Sequence, residues 1–163
     1  MQKITVLLLI TLFFSSCGGS KNATTAAVPD RNDVKGNWQI TDIRYSGMAA
    51  TEKLSFTLLD EGGEACLRGS TWNLPNNGKG SYIINGTGCA PGERSIVWSY
   101  RKEGDNAYFQ YKRMEGGVKA KDITDGYRFR ILSADESSLV LESTITYEGN
   151  PIAITYTLQR TGN

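Results

Sequence analysis

The chain has 163 residues, with 18 basic and 17 acidic side chains, a formal net charge of +1 and no histidine. The charges are nearly balanced, without the basic excess or basic stripe typical of nucleic-acid binding. We therefore expect no nucleic-acid partner. Without histidine, Ser-His-Asp and Cys-His nucleophilic sites and the usual histidine-containing zinc and iron sites are excluded. We therefore expect no catalytic residues, no metal and no cofactor, and interpret the protein as non-enzymatic.

The chain opens with a short cationic start and an apolar run over residues 4–14. This run has the length of the hydrophobic region of a secretory signal peptide and is too short to span a bilayer. It leads into Ser15-Ser16-Cys17, which resembles the lipobox of bacterial lipoproteins, with Phe14 where an aliphatic residue is usual. The resemblance implies that residues 1–16 are a removed signal peptide and that Cys17 becomes a lipidated N-terminus. An ordinary signal peptide followed by a free cysteine is the alternative.

The residues after Cys17 are polar and small and show no hydrophobic period, which is typical of a flexible tether. We expect the lipidated N-terminus and tether to cover residues 17–33 and one folded domain to cover residues 34–163. The lipid would make the membrane a partner of the protein. Surface-exported lipoproteins of this kind often carry acidic residues directly after the cysteine, and residues 18–22 contain none. We therefore expect the periplasmic face of the outer membrane.

Two further cysteines, Cys66 and Cys89, remain once Cys17 is assigned to lipid. Because an exported protein matures in an oxidising compartment, we expect them to form a disulfide. Their long spacing and the lack of a second cysteine pair argue against a redox or zinc site.

From residue 38 onward, short runs in which apolar and polar residues alternate recur between turn residues, as in half-buried strands. The runs cover residues 38–45, 54–59, 71–74, 80–84, 95–102, 107–114, 127–133, 139–147 and 152–159. Of these nine runs we count eight as main strands, and Asn76-Asn77-Gly78 is a strong hairpin signal. Consecutive antiparallel strands on short turns close most simply into an all-β, up-and-down barrel, with a β-sandwich as the alternative.

Gly36-Asn37-Trp38 resembles the G-x-W motif that opens the first strand of lipocalins. In a closed barrel the last strand lies beside the first, so Arg160 is expected over the Trp38 ring, as a basic residue is in lipocalins. Residues 34–160 also resemble the lipocalin-like lipoproteins common in Bacteroidetes in the order of Cys66, Trp72, Asn77-Gly78, Cys89 and Ile96-Val97-Trp98. The resemblance implies an eight-stranded lipocalin-like barrel that Gly36, Trp38 and Arg160 help to close.

Aromatic residues are the main functional signal of the predicted barrel. The set expected to face inward would bind a small hydrophobic or amphipathic ligand and comprises Trp98, Phe109, Tyr111, Phe129 and Tyr156. Short strands and a short first connection, predicted at residues 46–53, argue against a roomy cavity. The alternative is a barrel filled solid by these rings, which presents its loops to an envelope protein or an outer-membrane complex.

Acidic side chains cluster at Asp60-Glu61 with Glu64, and at Asp122 with Asp125. Both clusters lie near glycine in predicted turns, where acidic residues occur for backbone reasons, so we interpret them as solvated turns. A carboxylate enzyme is a third, weaker hypothesis, since it would need a buried acidic pair at the barrel mouth.

Overall fold

The structure is a computed structural model that describes residues 27–47, 57–114 and 116–162. Eight strands form a closed antiparallel barrel in which each strand pairs with the next and the last pairs with the first. They are β1 (Gly36–Ser46), β2 (Thr71–Leu74), β3 (Lys79–Ile84), β4 (Gly92–Glu103), β5 (Asn106–Arg113), β6 (Tyr127–Ala134), β7 (Ser138–Tyr147) and β8 (Asn150–Arg160). The predicted all-β up-and-down barrel is confirmed, and the sandwich alternative is wrong.

The described helices are short: α1 (Arg31–Val34), α2 (Glu64–Leu67) and a 3-10 helix at Ala120–Asp122. The core therefore comes chiefly from the strands, through side chains that alternate between the two faces of the barrel wall. On β8, for example, the buried side chains are Ile152, Ile154, Tyr156 and Leu158. The same alternation on the other strands fills one continuous apolar interior.

One predicted strand, residues 54–59, is wrong in the part that the structure describes. Thr57, Leu58 and Leu59 precede or enter a turn, and residues 54–56 lie outside the described ranges. Leu59 and Asp60 have φ values of 52° and 56°, which reverse the chain and are incompatible with extended strand backbone. The connection between β1 and β2 therefore covers residues 47–70 and is longer than the predicted residues 46–53.

One end of the barrel, here called the closed end, is where β1 begins and β8 finishes. The Arg160 guanidinium carbon lies 4.1 Å from the centroid of the Trp38 ring, the stacking expected from the sequence. Arg160 also donates hydrogen bonds to the carbonyl oxygens of Lys35 at 3.0 Å and Asp33 at 3.3 Å. Gly36 has φ of 135°, and a Cβ there would lie 2.1 Å from an Arg160 nitrogen. Any other residue would be strained at this φ and would displace the guanidinium group of Arg160.

The segment before β1 packs against the closed end of the barrel. Arg31 lies 4.2 Å from the Trp98 ring centroid and donates a 2.8 Å hydrogen bond to the carbonyl of Asn76. The Tyr100 hydroxyl donates to the carbonyl of Pro29 at 2.7 Å. Pro29 and Arg31 therefore contact the barrel at Tyr100, at Trp98 and in the β2–β3 turn.

The opposite end, here called the mouth, carries the β1–β2, β3–β4 and β5–β6 connections and the β7–β8 turn. Cys66 on α2 is joined there to Cys89 of the β3–β4 connection, which confirms the predicted disulfide. The two cysteines are 23 residues apart in the sequence. In the chain-entropy description, a disulfide that closes a loop of this length stabilises the fold by about 3 kcal/mol. Every strand of the barrel lies between Gly36 and Arg160, so the wall closes without the residues that precede the described part.

Candidate functional site

The five aromatic residues predicted to bind a ligand all face the barrel interior, and each is at most 3% exposed. Their rings contact one another: the Phe129 centroid lies 5.9 Å from Phe109, 6.1 Å from Tyr111 and 5.5 Å from Tyr156. Trp98 lies 6.1 Å from Phe109. The space between Leu59, Trp72, Phe109, Phe129 and Tyr156 has a volume of about 10 Å³, roughly what one water molecule requires. The rings thus pack together rather than line an empty cavity.

Part of this packing comes from a turn at the mouth rather than from the barrel wall. Leu58, Leu59, Asp60 and Glu61 form this mouth turn, closed by a 2.9 Å hydrogen bond from the Glu61 amide to the Leu58 carbonyl. Leu58 is 3% exposed, and Leu59 lines the small interior space beside Trp72. Left-handed backbone stores roughly 1–3 kcal/mol of strain at Leu59, whereas Asp60 is of a residue type that tolerates this conformation. The turn is therefore a strained insertion that fills the mouth.

The Glu61 side chain of the mouth turn is only 4% exposed. Tyr82 donates to its carboxylate at 2.6 Å, and Arg94 donates from two nitrogens, at 3.1 Å to one oxygen and 2.8 Å to the other. Arg113 lies 3.2 Å away as a second cationic partner. We call these four residues the Glu61 cluster. The interpretation of Glu61 as part of a solvated turn is wrong, because three long-range partners hold it inside the mouth.

Strand alternation brings the partners of Glu61 together. Arg94 lies directly opposite Tyr82 in the β3–β4 register, and Arg113 lies opposite Ile96 in the β4–β5 register. Arg94 therefore shares the inward face of β4 with Ile96 and Trp98. Two arginines at inward positions of amphipathic strands were the sequence signal for this cluster.

The charge state of Glu61 follows from these contacts. Burial by itself would raise the pKa of the carboxyl, but hydrogen bonds from Arg94 and Tyr82 and the charges of Arg113 and Arg94 outweigh it and lower the pKa below its ordinary value. Burial, followed by the hydrogen bond to Glu61, raises the pKa of the Tyr82 hydroxyl. At neutral pH the cluster thus holds a carboxylate, two guanidinium groups and a neutral phenol.

Two more tyrosines adjoin the cluster. The Tyr127 hydroxyl donates to the carboxylate of Asp60, and burial together with this bond raises the pKa of Tyr127. Asp60 itself is exposed, so Asp60 and Glu61 do not form a buried acidic pair. The Tyr111 hydroxyl is the one buried side-chain polar atom of the described residues without a hydrogen-bond partner among them. Such an unsatisfied group costs roughly 1–3 kcal/mol.

A cleft of about 460 Å³ opens beside the cluster, between the mouth turn and the β5–β6 connection. Arg113 and Tyr127 line it on the barrel side. Asp122 and Asp125 line it on the loop side and are exposed, in keeping with their interpretation as solvated turn residues. Another groove, of about 480 Å³, lies along β4, β5 and β6 beneath the same connection. The cleft gives solvent access to the edge of the Glu61 cluster.

The other predicted site residues lie either at the closed end of the barrel or outside the described residues. Gly36, Trp38 and Arg160 meet at the closed end, away from the mouth, whereas Cys17 and residues 1–16 lie outside the described residues. Within the described ranges, no group of three or more His, Cys, Asp and Glu side chains could hold a metal ion. The same ranges contain no helix that is long and apolar enough to cross a membrane. Comparisons with known protein families, curated proteins and solved structures give no match.

Proposed function

We propose that the protein is a lipocalin-like lipoprotein of the cell envelope, anchored through Cys17 to the periplasmic face of the outer membrane, that binds a small hydrophobic or amphipathic ligand at the barrel mouth. The signal sequence and its cysteine support the anchoring, and the closed eight-stranded barrel supports the ligand class. The proposal assigns no chemical step to the protein.

One observation carries the ligand hypothesis: the apolar mouth is filled by the mouth turn and not by the strands alone. The barrel wall is held by continuous strand pairing, whereas the turn contacts it through side chains. The two backbone hydrogen bonds of the turn, between Leu58 and Gly62 and between Glu61 and Leu58, close the turn on itself. Displacing Leu58 and Leu59 would therefore open an aromatic-walled space without separating any strands. The left-handed backbone at Leu59 lowers the free-energy cost of that displacement.

A second function is favoured by the small interior volume of about 10 Å³. A barrel that stays filled would act as a rigid scaffold, presenting its mouth connections to an envelope protein or an outer-membrane complex. In this case the mouth turn would remain in place in the complex.

The test is native mass spectrometry of residues 18–163, purified without detergent from the periplasm, followed by uptake of a fluorescent fatty acid. A reproducible bound lipid or metabolite is the expected result. The variant Leu59→Ala, which shortens the filling side chain, should take up more fatty acid, whereas Leu132→Ala, at a side chain 41% exposed, should not. A ligand-free mass and no uptake by either variant would contradict the ligand hypothesis and favour the scaffold.

A further inference from the structure

The Glu61 cluster has the arrangement of a binding site for a carboxylate, and the protein's own glutamate occupies it. Arg94 presents Nε and Nη2 as a fork to the two carboxylate oxygens, at 3.1 Å and 2.8 Å. Tyr82 and Arg113 approach the same Oε1 at 2.6 Å and 3.2 Å. Fork-like pairing of arginine with carboxylate is directional and selective for that group.

In the same turn, Leu58 and Leu59 precede Asp60 and Glu61 and place their side chains at the apolar interior. An anionic group joined to a short apolar chain is the chemistry of an amphipathic carboxylate. We propose that the mouth binds a medium-chain alkyl carboxylate, with Arg94 and Arg113 binding its head group, and that the mouth turn occupies this site as an internal substitute. This inference rests on the proposed ligand-binding function and names its ligand class.

The size of the apolar part sets the chain length. The Leu58 and Leu59 side chains together amount to about eight carbon atoms, and in a closely packed interior a replacement of similar volume is accommodated best. Leu59 contacts a space whose other walls are apolar or aromatic, including Ile40, Phe109 and Phe129. An alkyl chain of about eight carbons is therefore the ligand tail that fits after the turn moves.

Access and charge agree with an anionic head group at the arginines. Arg113 is 31% exposed and lines the cleft, so a ligand can reach it before the turn has moved. Asp60 also lines this cleft, but it belongs to the mouth turn and would move away from the arginines when the turn is displaced. Asp122 and Asp125 remain on the loop side, where they disfavour an anion and so restrict the head group to the arginine side.

Tyr111 supplies an independent observation that points to a ligand. Its hydroxyl is buried and has no partner among the described residues, and its ring lies 4.7 Å from Tyr127 and 6.0 Å from Tyr82. The ring that carries this unpaired donor thus packs against the rings of the two tyrosines that bind Asp60 and Glu61. A polar group entering from the mouth would give it an acceptor.

The test compares 8-bromooctanoate with 8-bromooctanol, which share an alkyl chain and differ in head group, on residues 18–163. Bromine quenches tryptophan fluorescence at short range, and Trp72 and Trp98 report from the barrel wall. Glu61→Gln removes the internal competitor and should bind the carboxylate about a hundredfold more tightly than the unchanged protein. Adding Arg94→Gln and Arg113→Gln should abolish that gain while the alcohol still binds.

The matched control adds Arg128→Gln and Arg130→Gln to Glu61→Gln instead, because these exposed arginines pair with Glu103 and Glu142 on the outside of the barrel. It has the same net charge as the triple variant and should keep the tight carboxylate binding. Binding of the alcohol serves as the check that each barrel is folded. If the triple variant does not fold, Glu61→Gln with Arg113→Gln replaces it, since Arg113 is partly exposed.

Each outcome decides between the two proposals. If neither probe quenches any variant, the ligand-binding function itself is overturned. If both probes bind and neither depends on Arg94 and Arg113, ligand binding stands and the carboxylate inference is overturned. Equal loss of carboxylate binding in the outer-arginine control would overturn it too, because net charge would then explain the effect.

Discussion

Replacing Glu61 with glutamine tests whether the mouth turn is held as the structure shows. The change keeps the shape of the side chain and removes its charge. Two arginines that now face a carboxylate, Arg94 at 16% and Arg113 at 31% side-chain exposure, would face a neutral amide. We expect the protein to fold and to be markedly less stable.

The magnitude follows from the contacts that the carboxylate makes. Removing one partner of a buried ion pair costs roughly 3–5 kcal/mol, because the other charge is left without compensation. Here the lower end applies, since water can solvate the partly exposed Arg113 and glutamine still accepts a hydrogen bond from Tyr82. We therefore expect a loss of about 3 kcal/mol at pH 7, a large share of the 5–15 kcal/mol typical of a domain.

The loss should depend on pH with a defined sign. The pKa of Glu61 is lower in the folded protein than its ordinary value of 4.5, so the folded state favours the carboxylate. The stabilisation is thus fully present above about pH 4.5 and disappears as the pH falls through the lower, folded-state pKa. The difference between the unchanged protein and Glu61→Gln should be constant near neutrality and should shrink in acid.

Urea denaturation at pH 7 and at stepwise lower pH measures this difference. Glu142→Gln is the control, because Glu142 pairs at 2.8 Å with Arg130, whose side chain is 48% exposed, and such surface pairs contribute roughly 0–1 kcal/mol. A loss at Glu61 no larger than at Glu142 would refute the buried cluster. So would a difference that persists unchanged at the lowest pH at which both proteins fold.

Two further predictions concern the interior and the closed end. Tyr111→Phe should stabilise the ligand-free protein by about 1 kcal/mol in urea denaturation, since it removes an unsatisfied buried hydroxyl; destabilisation would mean that this hydroxyl has a partner. Gly36→Ala should cost about 2 kcal/mol, because its Cβ would displace the Arg160 guanidinium from Trp38 and from the carbonyl oxygens it binds, and because alanine is strained at a φ of 135°. Gly149→Ala, also at positive φ but with no atom within 4 Å of the added Cβ, should cost less, and equal losses would exclude the clash as the cause.

The barrel could be predicted from the sequence because its determinants are local. Alternation with a period of two marks each strand, and Asn76-Asn77-Gly78 marks a hairpin that the structure contains between β2 and β3. The same rule failed at residues 54–59, because an alternating pattern does not reveal whether a neighbouring strand is there to pair with it. In the described part of that run, left-handed residues turn the chain instead.

The Glu61 cluster could not be predicted in the same way, because its partners are distant in the sequence. Glu61 lies next to two glycines, which locally indicates a solvated turn. Its burial depends on Tyr82 and Arg94, which are 21 and 33 residues away, and on Arg113 beyond them. Alternation alone places Arg94 and Arg113 on the inward face, but not the turn that supplies their carboxylate.

The two proposed functions differ in one quantity, the free energy needed to displace the mouth turn. Displacement gives up the Glu61 cluster, about 3 kcal/mol by the estimate above, and the burial of Leu58 and Leu59, and it releases the strain of the left-handed backbone. A net cost near 3 kcal/mol would reduce the apparent affinity of any ligand about a hundredfold, since only the open fraction binds. An alkyl carboxylate would regain both the arginine contacts and the apolar burial, whereas a neutral ligand would regain only the second. A measured preference for the carboxylate therefore reports both the ligand class and the ability of the filled barrel to open.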